Sequence, residues 1–131
     1  MNAVNKALFD QLSGGTALVS ALGGTLIYHM QAPDNAAYPY IVYSWAGGGD
    51  LNQTPSSGIE LVEFVRVYHT NAYQAGLIDD LIRARLHQQA FAVTGYTNIW
   101  AAREDDYENV ETTAAGERVY AMGGNYRISI T

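Results

Sequence analysis

The chain has 131 residues, 48% of them apolar and only 15% charged, which fits one folded domain over 1–131 and excludes a disordered tail. Thirteen acidic against seven basic side chains give a formal net charge of -6, which argues against nucleic-acid binding through a basic face, so no sequence-specific nucleic-acid partner is expected. With no cysteine, a disulfide scaffold, a thiolate zinc site and a cysteine nucleophile are excluded as well.

The first residues show no basic cluster ahead of an apolar run, so no signal peptide is expected. Residues 11–33 carry no Asp, Glu, Lys or Arg, yet Gly14, Gly15, Gly23, Gly24, His29 and Gln31 interrupt them, so no membrane span is expected. Val4, Ala7, Leu8, Gln11 and Leu12 repeat at i, i+3, i+4 and predict a helix over 3–12, with Gln11 breaking the stripe and Gly14-Gly15 stopping it. A second short helix is expected from Thr16 as N-cap to Leu22, ahead of Gly23-Gly24.

Leu26-Ile27-Tyr28 reads as a short strand and 38–45 as an aromatic, β-branched one, with Pro39 confined to its start because it lacks a ladder donor. Residues 46–58, opening with Gly47-Gly48-Gly49-Asp50-Leu51, read as a long flexible loop. A long strand is expected over 59–70, with Leu61, Val65 and Val67 on one face and Val62, Phe64 and Tyr68 on the other. Asn71 fits an N-cap with Gln74 in the capping-box position, opening a helix to about 88. Leu77, Ile78, Leu81, Ile82 and Leu86 would form its apolar face, and Asp79 would pair with Arg83 one turn on.

Two closing strands are expected over 96–103 and 118–130, the second alternating Tyr126, Ile128 and Ile130 inward with Arg127 and Ser129 outward, and bulged or bent at Gly123-Gly124. Residues 104–116 between them read as an acidic hairpin connection. The order predicts an α+β fold: a mostly antiparallel sheet packed by one long amphipathic helix, with short N-terminal helices.

Chemistry is sparse. No P-loop, GxSxG elbow or HExxH is present, and Lys6 is the only lysine. His29, His69 and His87 are too scattered for ligand spacing. Glu104, Asp105, Asp106, Glu108 and Glu111 have the oxygens for a hard cation but not the EF-hand order, and a solvated loop explains them better. Neither catalytic residues, nor a metal, nor a cofactor is expected. The ten tyrosines suit a β-core and suit a subunit interface equally.

The ordered set — an N-terminal helix with a Gly-Gly break, Leu26-Ile27-Tyr28, Ala32-Pro33, Tyr38-Pro39-Tyr40-Ile41-Val42-Tyr43, Val65-Arg66-Val67-Tyr68-His69, the helix over 73–86, Asp106-Tyr107-Glu108 and Tyr126-Arg127-Ile128-Ser129-Ile130 — resembles the tail-completion (tail-terminator, head–tail joining) family of tailed bacteriophages and prophages. It departs from the family at His69-Thr70, where a bulky aromatic is frequent. The resemblance implies a non-enzymatic virion subunit, assembled in the host bacterial cytoplasm as a hexameric ring. The ring would cap the tail tube at its head-proximal end and meet the tube protein and the head–tail connector.

On that reading Gly47, Gly48, Gly49, Asp50 and Leu51, with Val62, Phe64 and Tyr68, are the expected interface residues. Glu104, Asp105, Asp106 and Glu108 are expected to line a pore that DNA crosses without adhering. Two alternatives stand beside it: another connector, stopper or minor tail protein, and a small enzyme or ligand-binding domain with Trp45, Tyr68 and the acidic stretch as its pocket.

Overall fold

A computed structural model describes residues 2–50, 58–97 and 99–131. In chain order these form α1 (Asn2–Ser13), α2 (Thr16–Leu22), β1 (Ile27–His29), β2 (Tyr40–Asp50), β3 (Ile59–His69), α3 (Ala72–Leu86), β4 (Ile99–Thr112) and β5 (Arg118–Ile130). The strands make one sheet in the order β1-β2-β3-β5-β4, parallel only between β1 and β2. The fold is α+β, as expected. At 12 residues α1 is close to the 15 of α3, so the helical layer has two substantial members rather than one long helix and short pieces.

One sheet face takes all the helices. Residues paired directly across antiparallel strands share a face, and Ile41, Val67 and Met122 form one such row, as do Leu61, Ile128 and Ala101. These rows pack on Val4, Leu8 and Leu12 of α1 and on Ala75, Ile78, Ile82 and Leu86 of α3 in a single core. Truncating a fully buried member such as Leu12 or Ile82 to Ala would cost about 2–5 kcal/mol. Gln11, the break in the α1 stripe, exchanges hydrogen bonds with α3: its Nε2 donates to the Arg85 carbonyl at 2.8 Å, and Arg85 Nη2 donates to the Gln11 carbonyl at 2.8 Å.

Asn71 caps α3 as expected, its side-chain oxygen accepting from the Gln74 amide at 3.0 Å. Several expectations are corrected. Gly15, not Thr16, is the N-cap of α2, and it makes no side-chain cap bond. Leu77 is 41% exposed, because the buried row of α3 runs through Ala75, Ile78 and Ile82. Residues 46–50 are strand rather than loop, since Gly47, Gly48, Gly49 and Asp50 pair with Val62, Leu61, Glu60 and Ile59; 51–57 lie outside the described residues.

Residues 104–112 are strand too, leaving a short turn from Thr113 to Glu117. The bulge lies in β4, between Arg103 and Asp105, not at Gly123-Gly124 in β5. Those glycines serve close approach: a Cβ on Gly123 would stand 2.0 Å from the Val65 carbonyl oxygen, and one on Gly124 2.1 Å from that of Asp105.

Candidate interaction surface

Among the described residues no helix lies over the second sheet face. Alternation in β3 turns Val62, Phe64, Arg66 and Tyr68 to this side, half-buried, while Leu61, Val65 and Val67 enter the core. The rows across it are Tyr40–Tyr68–Ala121–Asn109, Val42–Arg66–Gly123–Tyr107 and Ser44–Phe64–Asn125–Asp105. β-Branched and aromatic residues at these positions favour strand locally and present flat side chains outward.

The aromatics are ordered among themselves. Tyr38 stacks on Tyr40 with centroids 5.3 Å apart, Tyr40 on Tyr68 at 5.2 Å, and Tyr28 meets Tyr40 edge-on at 6.0 Å. Burial first, then Tyr38, Tyr68 and Glu111, push the Tyr40 hydroxyl up to about 12, so it stays a neutral donor. Beside this stack the Arg66 guanidinium lies 3.8 Å from the Phe64 ring centroid and 5.0 Å from that of Tyr107, and donates to the Tyr68 hydroxyl at 3.3 Å. Among the described residues Arg66 makes no ion pair. Tyrosines around an arginine held by rings rather than by a carboxylate have the composition of protein–protein hot spots.

Towards β4 the same face ends in an ion-pair group. Arg127 donates to Glu104 and Glu60, and these bonds raise its pKa while the bond to Arg127 lowers that of Glu104. Asp105 accepts from the Asn125 amide at 3.0 Å.

Two polar features lie on the helix side. Glu63 is 1% exposed in the core, between Trp45 and Tyr126, and neither carboxylate oxygen has a hydrogen-bond partner among the described residues. Burial pushes its pKa up to about 7. Its parity with Leu61 and Val65 was visible in the sequence and marks it as a core residue, though an acid there was not anticipated. The Asp79 carboxylate, expected to pair with Arg83, instead takes both Arg103 Nη atoms at 2.9 Å, and Arg103 also meets Asp106 at 2.8 Å. Burial acts to lower the Arg103 pKa, but the bonds to Asp79 and the charges of Tyr126 and Asp79 outweigh it, and the net shift is upward. A groove of about 430 Å³ beside this clamp, lined by Tyr73, Leu77, Arg83, Glu108 and Met122 among others, separates α3 from β4.

The expected site residues fall into place unevenly. Val62, Phe64 and Tyr68 share the open face, and Gly47 to Asp50 form its border in β2; Leu51 lies outside the described residues. Of the four acids, Glu104 and Asp105 face the open side, while Asp106 meets Arg103 on the helix side. Glu108 makes no ion pair among the described residues. Trp45 pairs with Glu63 on the core side and Tyr68 points to the other, so the two do not line one pocket. The histidines are apart: His29 rests on Tyr43, His69 accepts from the Thr70 amide, and His87 caps α3 and accepts from the Arg103 amide. Arg66 joins the open face without having been among the expected residues; its one signal in the sequence is the i, i+2 spacing between Phe64 and Tyr68.

The family model described as Tail completion protein gp17 matches residues 6–131. No curated protein matches the chain in sequence. A chain in a solved structure described as the virion of a native gene transfer agent particle shares the fold at TM-score 0.72 and 16% identity, over 98% of this chain and 95% of that one. A second solved structure shares it at TM-score 0.61 and 10% identity, over 99% and 94%.

Proposed function

The chain belongs to the Tail completion protein gp17 family and is a structural component of a phage-like tail; from that premise we propose that it forms a hexameric ring capping the tail tube at its head-proximal end and joining it to the head connector. The observation that carries the reading is the uncovered sheet face. A ring closes through two different patches on each subunit, and the Tyr40–Tyr68 stack with Phe64, Arg66 and Tyr107 is one patch with the chemistry of a contact. The uncharged border Gly47, Gly48, Gly49, ahead of Asp50 and Leu51, belongs to the same surface. Its partners are other copies of the chain, the tube protein and the connector, and its place is the head–tail junction.

A pore role for the acids rests on Glu108 more than on the other three. Glu104 and Asp106 are ion-paired with Arg127 and Arg103, and Asp105 is bonded to Asn125. A free carboxylate on the channel wall lets DNA pass, since like charge releases no counterions. Glu108→Lys is expected to slow DNA ejection from intact particles; unchanged ejection contradicts the pore role.

Deleting the gene in the parent phage and imaging the lysate tests the proposal. Filled heads beside unattached tails of irregular length are the expected result. Normal joined particles would refute it.

A further inference from the structure

The sheet ends in two open edges of unlike chemistry. β1 pairs only with Ile41, Val42 and Tyr43, so from Ser44 to Asp50 β2 has no strand on its outer side among the described residues. This stretch, Ser44-Trp45-Ala46-Gly47-Gly48-Gly49-Asp50, carries no charge before Asp50. Its cover is its own: Trp45 Nε1 donates to the Gly47 carbonyl.

At the opposite end the outer edge of β4 is covered, among the described residues, only near its start, where the Gln88 amide donates to the Ala101 carbonyl at 2.7 Å and His87 accepts from the Arg103 amide. Beyond that, residues 104–112 are open and carry Glu104, Asp105, Asp106, Glu108 and Glu111. An open edge is a template for strand addition, and charge along it denies the edge to the wrong partner. Two β4 edges brought together would set five carboxylates against five. A β4 edge brought to the uncharged β2 edge meets no such repulsion.

Polarity and level agree with that pairing. β2 opposes β3, β3 opposes β5 and β5 opposes β4, so β2 and β4 run in opposite directions. A ring rotation about an axis inclined to the strands changes their direction only partly from one copy to the next, and so brings β4 of one copy broadly antiparallel to β2 of the next. The two open stretches lie at different heights. Gly47 is level with Val62, Arg127 and Ala102, whereas Glu108 is level with Met122, Val67 and Ile41. Joining them needs a slip of about six residues, roughly 20 Å, over four strand spacings of roughly 19 Å. That slope of about 45° is the steep end of the strand tilt in closed sheets.

We infer that copies of this chain join β4 to β2, edge to edge, so that one sheet runs from subunit to subunit through the ring. The inference rests on the ring reading above and adds to the open face a second, edge-to-edge contact between neighbours.

The chain lacks cysteine, so introduced pairs report without background. Ser44, Asn109 and Glu111 share the open face. Ser44→Cys combined with Asn109→Cys, or with Glu111→Cys, is to be oxidised in assembled particles and run on a denaturing gel. A ladder of covalent multimers from one of the two pairs is the expected result. Absence of intersubunit disulfide from both, in particles whose junction shows a ring of this chain, overturns the edge pairing and leaves the ring reading standing. Particles without such a ring overturn both.

A charge probe at Gly47 supplies the second arm, because a Cβ there meets nothing within 4 Å among the described residues. Gly47→Glu faces the carboxylates of the neighbouring β4 and is expected to lose joined particles, while Gly47→Lys retains them, with both free subunits melting alike. Equal assembly by the two variants overturns the inference.

Discussion

Arg103 and Arg127 stand on the neighbouring strands β4 and β5, and each holds two carboxylates, yet they do different work. The Arg103 side chain is 5% exposed and bolts β4 to α3 through Asp79, across 24 residues of chain. Arg127, 43% exposed on the other face, ties Glu104 and Glu60 in water. A buried ion pair is costly to break because one charge is left stranded, whereas an exposed one competes with solvent and salt. The contrast separates a face built to hold the subunit together from a face left free to meet other molecules.

The largest effect is expected from Arg103→Ala, which strands the Asp79 carboxylate and should lower unfolding free energy by about 3–5 kcal/mol in denaturant titrations. Adding Asp79→Leu should recover much of that loss, since the stranded charge is then gone. A single variant as stable as the parent would break the distinction between the two arginines.

Glu63 tests the interior in the opposite sense. Burial holds its folded pKa at about 7, above the ordinary carboxylate value of 4.5, so the folded state holds the proton more tightly than the unfolded chain. Its contribution is fully present below 4.5 and is lost as pH rises to about 7, a total of roughly 3 kcal/mol. Glu63→Gln should therefore stabilise the protein at pH 8 by up to about 3 kcal/mol and progressively less towards pH 5, read from Tm across pH. A gain independent of pH would contradict the assignment.

The smallest effect belongs to Arg127→Ala, expected to shift Tm by less than about 4 °C and to do so less at high salt. A larger, salt-insensitive loss would place Arg127 among the interior supports.

How far the sequence could be read follows the same division. Where burial is one-sided the pattern is legible: Tyr126, Ile128 and Ile130 alternate inward, and Asn71 caps α3 where its spacing to Gln74 said it would. Where strand is made by pairing alone, it is not. Residues 104–112 carry five acids and 46–50 carry three glycines, compositions that disfavour strand by themselves; the ladders to β5 and β3 override them.

Asp79 pairs with Arg103 rather than the expected Arg83, since a partner one turn away is visible in sequence and one on a distant strand is not. The open face was half visible: Val62, Phe64 and Tyr68 stood out by hydrophobic alternation, whereas Arg66 became meaningful only with Tyr107 beside it.

The division of faces is tested most directly by hydroxyl-radical footprinting of the free subunit against the intact particle. The account predicts that Trp45, Phe64 and Tyr68 lose labelling on assembly, as the bare sheet face and its β2 border are covered by neighbouring proteins. Equal labelling of all three in the two states would contradict it.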